Sequence, residues 1–194
     1  MELIFASHNQ HKLLEIQAMM PKGIVVKSLS DIGYHDEIEE TGDTFNENAA
    51  IKARAVFEAT GLPCFADDSG LAVEALNGAP GVKSACYAGE PANNAANIQK
   101  LLSNLENESN KTAYFIAVIC LKTAEAEYFF EGRVNGHIIP TPTGEGGFGY
   151  DPVFVPDGDS RTFAQMTAEE KNSISHRKRA LQKMTEFLSN RMAG

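Results

Sequence analysis

The chain has 194 residues, 43% hydrophobic and 22% charged, which suits one domain or two closely packed lobes and leaves only the last few residues as candidates for disorder. Its formal net charge of −9 excludes a nucleic-acid polymer as the expected partner, because such binding needs a broad cationic surface; a small anion met by a few local cations fits. Cys64, Cys86 and Cys120 are odd in number and lack CxxC spacing, which points away from a disulfide framework or zinc site and toward a reducing compartment.

No basic stretch followed by an apolar core opens the chain, and Ala113 to Leu121, the longest apolar run, falls far short of the roughly 20 residues that span a bilayer. The expected location is the cytoplasm, with no membrane partner.

In chain order, Leu3 to Ala6 reads as a buried strand, and Leu13, Ile16, Gln17 and Met20 set a helical spacing that Pro21 and Gly23 end. Ile24 to Val26 is a second strand, and Leu29 to Asp43 an acidic loop. Thr44 with Glu47 forms a capping box opening a helix through Ala49, Ala53, Val56 and Phe57, closed by Gly61 and Pro63. Cys64 to Ala66 is an apolar run that stops at Asp67 and Asp68, so these acids are expected at a strand end, entering a turn at Ser69 and Gly70.

Asn77 with Gly78 marks a turn, and a helix near Ala92 to Leu105 carries Ile98, Leu101, Leu102 and Leu105 on one side. Thr112 to Lys122 and Tyr128 to Ile139 read as an antiparallel pair of long strands joined near Ala124. Thr167 with Glu170 suggests another capped turn. Ala180, Leu181, Met184, Phe187 and Leu188 give the final helix its apolar stripe.

Five stretches carry candidate chemistry. Asp67 and Asp68 have no obvious packing purpose and suit a divalent cation or a catalytic base. Ser7, His8, Asn9, Gln10, His11 and Lys12 lie where a strand enters a helix, a place whose unpaired N–H groups suit phosphate; equally, Ser7 or Asn9 simply caps the helix and Lys12 is solvated. The P-loop and GxGxxG signatures are absent. Asn48 and Lys52 share a helix face after Glu39, Glu40, Thr41 and Gly42, forming either a ligand-facing edge or an exposed one.

The glycine-dense run from Thr143 to Pro152 lets backbone approach a ligand, with Phe148 or Tyr150 to stack on a planar base and Asp151 to accept from its ring N–H groups. Finally, Lys171, His176 and Arg177 gather near the start of the last helix, with Lys178 and Arg179 assigned to the surface. Cations are unfavourable there unless an anion sits beside them, and a bound phosphate would resolve the conflict.

Taken together, SxNxxK at Ser7 to Lys12, EETG at Glu39 to Gly42, ADDSG at Ala66 to Gly70, GGFGYDP at Gly146 to Pro152 and SHR at Ser175 to Arg177 resemble the inosine/xanthosine triphosphate pyrophosphatases, house-cleaning hydrolases of non-standard purine nucleotides. The match runs in order over nearly the whole chain. The resemblance implies an α/β fold, an elongated mixed β-sheet flanked by helices, with two lobes around a central nucleotide cleft. It further implies a homodimer, Mg²⁺ dependence, and hydrolysis of ITP, dITP or XTP to the nucleoside monophosphate and pyrophosphate.

By the same resemblance Asp68 is the catalytic carboxylate and a metal ligand, with Glu39 the other metal-associated acid. Ser7, His8, Asn9, Gln10, His11, Lys12, Lys52 and Ser69 hold phosphates. Phe148, Gly149, Tyr150, Asp151, Lys171, His176 and Arg177 embrace the base and the remaining anionic groups. His176 and backbone N–H groups are the candidate donors to a 6-oxo purine.

Two positions depart from the family pattern: Cys86 stands where members commonly carry arginine, and His8 is unusual in the first loop. The rival readings are a Maf-type nucleotide pyrophosphatase, disfavoured by the purine-type loop at Gly149 to Asp151, and an inactive nucleotide-binding module, disfavoured by the intact acid pair. Because successive side chains on an extended segment point to opposite sides, Asp67 and Asp68 are expected to divide their labour, Asp67 ordering the segment or orienting a cation.

Overall fold

Each long apolar run of the sequence is drawn into one six-stranded sheet. The computed structural model describes residues 1–192. In chain order the elements are β1 (Glu2–Phe5), α1 (Gln10–Met19), β2 (Val25–Lys27), α2 (Phe45–Thr60), β3 (Cys64–Val73), α3 (Asn94–Leu105), β4 (Thr112–Lys122), β5 (Glu127–Ile138), β6 (Phe154–Pro156), α4 (Ala168–Ile174) and α5 (His176–Met192). The strand order is β2-β1-β3-β4-β5-β6. β1 pairs parallel with β2 and β3, whereas β5 and β6 are antiparallel, so the sheet is mixed. The expectation of disorder at the extreme C-terminus lies outside the described residues.

Local sequence accounts for most boundaries. Thr44 accepts from the Glu47 N–H, and the Glu47 carboxylate accepts from the Thr44 N–H, the reciprocal capping box anticipated for α2; Gly61 ends that helix with φ of 68°. Thr167 and Glu170 do the same for α4. Between β4 and β5 the Thr123 N–H donates to Ala126 O at 3.0 Å, closing the short connection.

One expectation is corrected. β3 does not stop at Asp67 but runs unbroken through Ala66, Asp67, Asp68, Ser69 and Gly70 to Val73, with both acids buried inside the strand. Charged side chains can lie buried within a strand when opposite charges compensate them, and here cations from α1, α2 and α5 do so. The short edge strand β6 has no counterpart in the sequence reading.

The chain divides into two compact units, Met1–Asp68 with Ala117–Gly132 and Arg177 onward, and Ser69–Ile116 with Arg133–His176. In the first, Leu13 and Ile16 of α1 and Leu181, Met184 and Leu188 of α5 share a core with Leu3, Phe5, Phe65, Ile119 and Leu121. The second is built on Leu101 and Leu105 of α3 with Leu71, Val73, Phe115, Phe154 and Phe163.

Cys64 and Cys120 are buried in the first unit, where burial pushes both thiols up to about 12. Only the thiolate is a good nucleophile, and Cys86 alone is partly exposed. A maleimide reagent at neutral pH is therefore expected to label Cys86 in the native protein and Cys64 and Cys120 only after denaturation, read by mass spectrometry of the labelled peptides; native labelling of either buried thiol contradicts this.

Candidate active site

In the first unit, α1, α2, β3 and α5 bring three cations onto the two acids. Asn9 is the N-cap of α1, its Oδ1 accepting from the Lys12 N–H at 3.1 Å. One turn of helix then carries the Lys12 ammonium inward, where it donates to the Asp67 carbonyl at 3.3 Å and lies 3.7 Å from Asp67 Oδ2. The capping reading of Asn9 therefore holds, but Lys12 is no solvated lysine. His8 Nε2 contacts Asp36 O at 3.0 Å and its ring stacks on Tyr34, joining the first loop to the acidic one.

On α2, Asn48 and Lys52 share a face as their spacing required, and both are buried. Asn48 Oδ1 accepts from the Gly42 N–H at 2.8 Å, fixing the EETG segment. A Cβ at Gly42 would come within 2.6 Å of Glu47 Cβ, so only glycine fits this approach. Lys52 Nζ donates to Glu40 Oε1 at 2.9 Å and to the Asp67 carbonyl at 3.0 Å, and lies 3.6 Å from Asp68 Oδ1. Glu40 is thus the loop acid closed onto this lysine, while Glu39 is exposed beside it.

Asp67 and Asp68 face different partners, as alternation along a strand requires. Asp67 is fully buried and its Oδ2 accepts from Arg177 Nε at 2.6 Å. Burial favours its neutral form, but the Arg177 and Lys12 charges outweigh that and hold the carboxyl well below the usual range. Arg177, opposed by its own burial, is held charged by Asp67 and Glu15. For Asp68, burial dominates and raises the pKa, against the pull of Lys52 and Lys12 and with a push from Glu40 and Asp67. Its Oδ2 is buried and accepts no hydrogen bond. A buried carboxylate oxygen with no donor, beside two ammonium groups, is suited to accept a proton or a cation.

In the second unit the glycine-rich loop is pinned from below. Gly146 N–H donates to Ala164 O at 2.9 Å, and Thr162 Oγ1 donates to Thr143 O at 2.6 Å. Asp151 Oδ2 accepts from both Lys171 Nζ at 2.6 Å and the Phe148 N–H at 3.0 Å. The Lys171 ammonium also sits 4.8 Å from the centre of the Phe148 ring, a cation–π contact. A Cβ on Gly147, whose φ is 69°, would collide with Asp151 Oδ2, so this glycine lets the loop close on the carboxylate. Tyr150 is a core residue, its hydroxyl donating to Ser84 O at 2.7 Å, which leaves Phe148 as the ring of this loop outside the core. His176 is buried, face to face with Phe115 at 4.9 Å.

Lys12, Lys52 and Asp68 lie together in the first unit and Phe148, Asp151, Lys171 and His176 in the second, whereas Arg177, grouped with the latter set in the sequence, is bound to Asp67 in the first. Gln10 and His11 are exposed on α1, and Ser69 is half-buried on β3. The cations near the start of α5 meet protein carboxylates, Asp67 and Glu15 for Arg177 and Asp151 for Lys171, where the sequence suggested a bound phosphate. Arg179 is exposed and Lys178 half-buried. Glu15 was missed, although its spacing of three from Lys12 puts both on one face of α1.

The sequence and the fold both match known proteins. A profile of the Ham1 family matches residues 3–187. The chain belongs to the Ham1 family. It is 49% identical to a dITP/XTP pyrophosphatase of Flavobacterium psychrophilum, covering 98% of this chain and 100% of that protein, and 46% identical to the one of Bacillus subtilis, covering 96% of each. Among solved structures, a HAM1 protein from Coxiella burnetii superposes with a TM-score of 0.90 at 44% identity, over 98% of this chain and 99% of that one. A nucleoside-triphosphatase, dITP/XTP pyrophosphatase, from Mycobacterium abscessus gives 0.78 at 45%, over 95% and 98%. The α/β fold with a mixed sheet is that of Ham1 structures. For this Ham1 chain, no helix among the described residues is long and apolar enough to cross a membrane.

Proposed function

We propose that this Ham1 protein hydrolyses non-standard purine nucleoside triphosphates, dITP, XTP and ITP, to the monophosphate and pyrophosphate. The observation that carries the reading is the Asp68 carboxylate, buried with one oxygen lacking a donor and flanked by Lys52 and Lys12, in a chain similar along its full length to dITP/XTP pyrophosphatases.

Asp68 accepts the proton of the attacking water, a task helped by a pKa above the ordinary carboxylate range. Lys12 and Lys52 neutralise phosphate charge, and the α1 N-terminus with Ser7, His8, Asn9, Gln10 and His11 supplies further donors. Ser69 completes the phosphate contacts. The residues fit Mg²⁺: Asp68 keeps a buried carboxylate oxygen without a donor, and Mg²⁺ takes one or two carboxylates and completes its shell with water and phosphate oxygens. Asp68 and Glu39 would hold the ion, which when bound withdraws charge from the phosphates.

Phe148 stacks on the purine while Gly149, Tyr150 through its backbone, Asp151, Lys171 and His176 surround its edges. A donor aimed at a 6-oxo group is left facing another donor when adenine's amino group arrives, which favours ITP and XTP over ATP. Arg177 serves through Asp67, to which it is bound. The family resemblance supports a homodimer, and free cysteines without CxxC spacing support a reducing compartment such as the cytoplasm.

The test is Mg²⁺-dependent hydrolysis of ITP, dITP, XTP, GTP and ATP with separate detection of pyrophosphate and orthophosphate. Pyrophosphate release from dITP, ITP and XTP well above that from ATP is expected. Orthophosphate as the main product, or ATP turnover equal to that of ITP, overturns the proposal.

A further inference from the structure

Glu15 belongs to none of the motifs, yet the fold of the first unit joins it to the acid pair. Arg177 is 1% exposed, and its guanidinium donates through Nε to Asp67 Oδ2 at 2.6 Å and through Nη1 to Glu15 Oε2. Asp67 in turn accepts two ammonium groups on its main-chain carbonyl, Lys52 at 3.0 Å and Lys12 at 3.3 Å. A continuous chain therefore runs from Glu15 through Arg177 and Asp67 to both lysines. Four elements supply it: Glu15 and Lys12 come from α1, Lys52 from α2, Asp67 from β3 and Arg177 from α5.

Such a chain is an inefficient way to stabilise a core, since apolar replacements of buried ion pairs are often neutral or favourable. What it provides is direction. A planar guanidinium gripped by two carboxylates through different nitrogens has one orientation, and its partners are fixed with it. Fixing the Asp67 side chain also fixes the peptide that carries its carbonyl, and hence the positions of Lys12 and Lys52. Asp68 is the next residue along the strand, so the same restraint sets the direction of its carboxylate.

We propose that Glu15 is a positioning residue for the hydrolysis, anchoring Arg177 so that Asp67 holds Lys12 and Lys52 at their working distance from Asp68. The inference rests on the function proposed above. It differs from a nucleotide-binding role for Arg177 in a measurable way: a group that grips the ligand acts mainly on KM, whereas one that aligns the reacting groups acts on kcat.

The experiment compares Glu15→Gln, Arg177→Lys and the double variant with the unaltered protein, using steady-state pyrophosphate release from dITP and XTP at saturating Mg²⁺ and thermal unfolding of each. Glu15→Gln keeps size and an acceptor but loses the charge that anchors the guanidinium, and kcat is expected to fall about 10–100-fold, with KM unchanged. The double variant is expected to be no worse than the more impaired single one, since both break the same chain. If Arg177→Lys does not fold, Glu15→Gln alone decides. Unchanged kcat in Glu15→Gln, a loss confined to KM, or additive losses in the double variant overturn the positioning role. Absence of pyrophosphate release from the unaltered protein overturns instead the function on which it rests.

Discussion

Asp68→Asn is expected to lower Mg²⁺-dependent pyrophosphate release from dITP by about 10³-fold while leaving the protein folded. The substitution removes the proposed proton acceptor and metal ligand without changing side-chain volume. It also removes a charge whose burial is a burden: Asp68 is 5% exposed, and burial raises its pKa in the folded protein. A carboxyl group with a folded-state pKa above its unfolded value binds its proton more tightly when folded, so ionised Asp68 lowers stability at neutral pH. That deficit fades as pH falls through the raised value toward the ordinary carboxylate range near about 4. In metal-free buffer at pH 7, Asp68→Asn is therefore expected to melt no lower than the unaltered protein, and any advantage to shrink on acidification. Near-normal turnover would remove Asp68 from the chemistry. A large drop in melting temperature would show that the carboxylate is needed for folding, and the lost activity would then say nothing about a base.

The fold was legible wherever local chemistry decides structure. The capping boxes of Thr44 and Glu47 and of Thr167 and Glu170 place α2 and α4, because a helix start needs donors satisfied within three residues. The long strands β4 and β5 follow from apolar runs too regular to be loops. The passage of β3 through Asp67 and Asp68 was not legible. Its stability as strand depends on lysines 55 and 15 positions away and an arginine 110 positions away, and no window around Cys64 to Gly70 contains them. For the site, residue types and motif order named side chains that the fold gathers within each unit, whereas partners such as Glu15 for Arg177 and Glu40 for Lys52 emerged only with the packing of helices against the sheet.

The second unit yields the other large effect. Lys171→Met is expected to destabilise the protein by about 3–5 kcal/mol, the usual consequence of stripping one partner from a buried ion pair. Lys171 and Asp151 are 4% and 2% exposed, and the 2.6 Å contact between them is what makes a carboxylate tolerable at that depth. Methionine matches the lysine stem in size, so the loss would come from charge and not from a cavity. Adding Asp151→Asn tests this directly: the amide oxygen still accepts the Phe148 N–H, now bonded at 3.0 Å, while the orphaned charge disappears. The Asp151→Asn/Lys171→Met protein is expected to recover much of the stability in denaturant unfolding but not the turnover of dITP, because the cation over Phe148 and the acid proposed to face the purine would both be gone. Equal stability of Lys171→Met and the unaltered protein would mean that Asp151 is compensated elsewhere. Recovery of turnover together with stability would mean that the pair supports the loop and takes no part in holding the base.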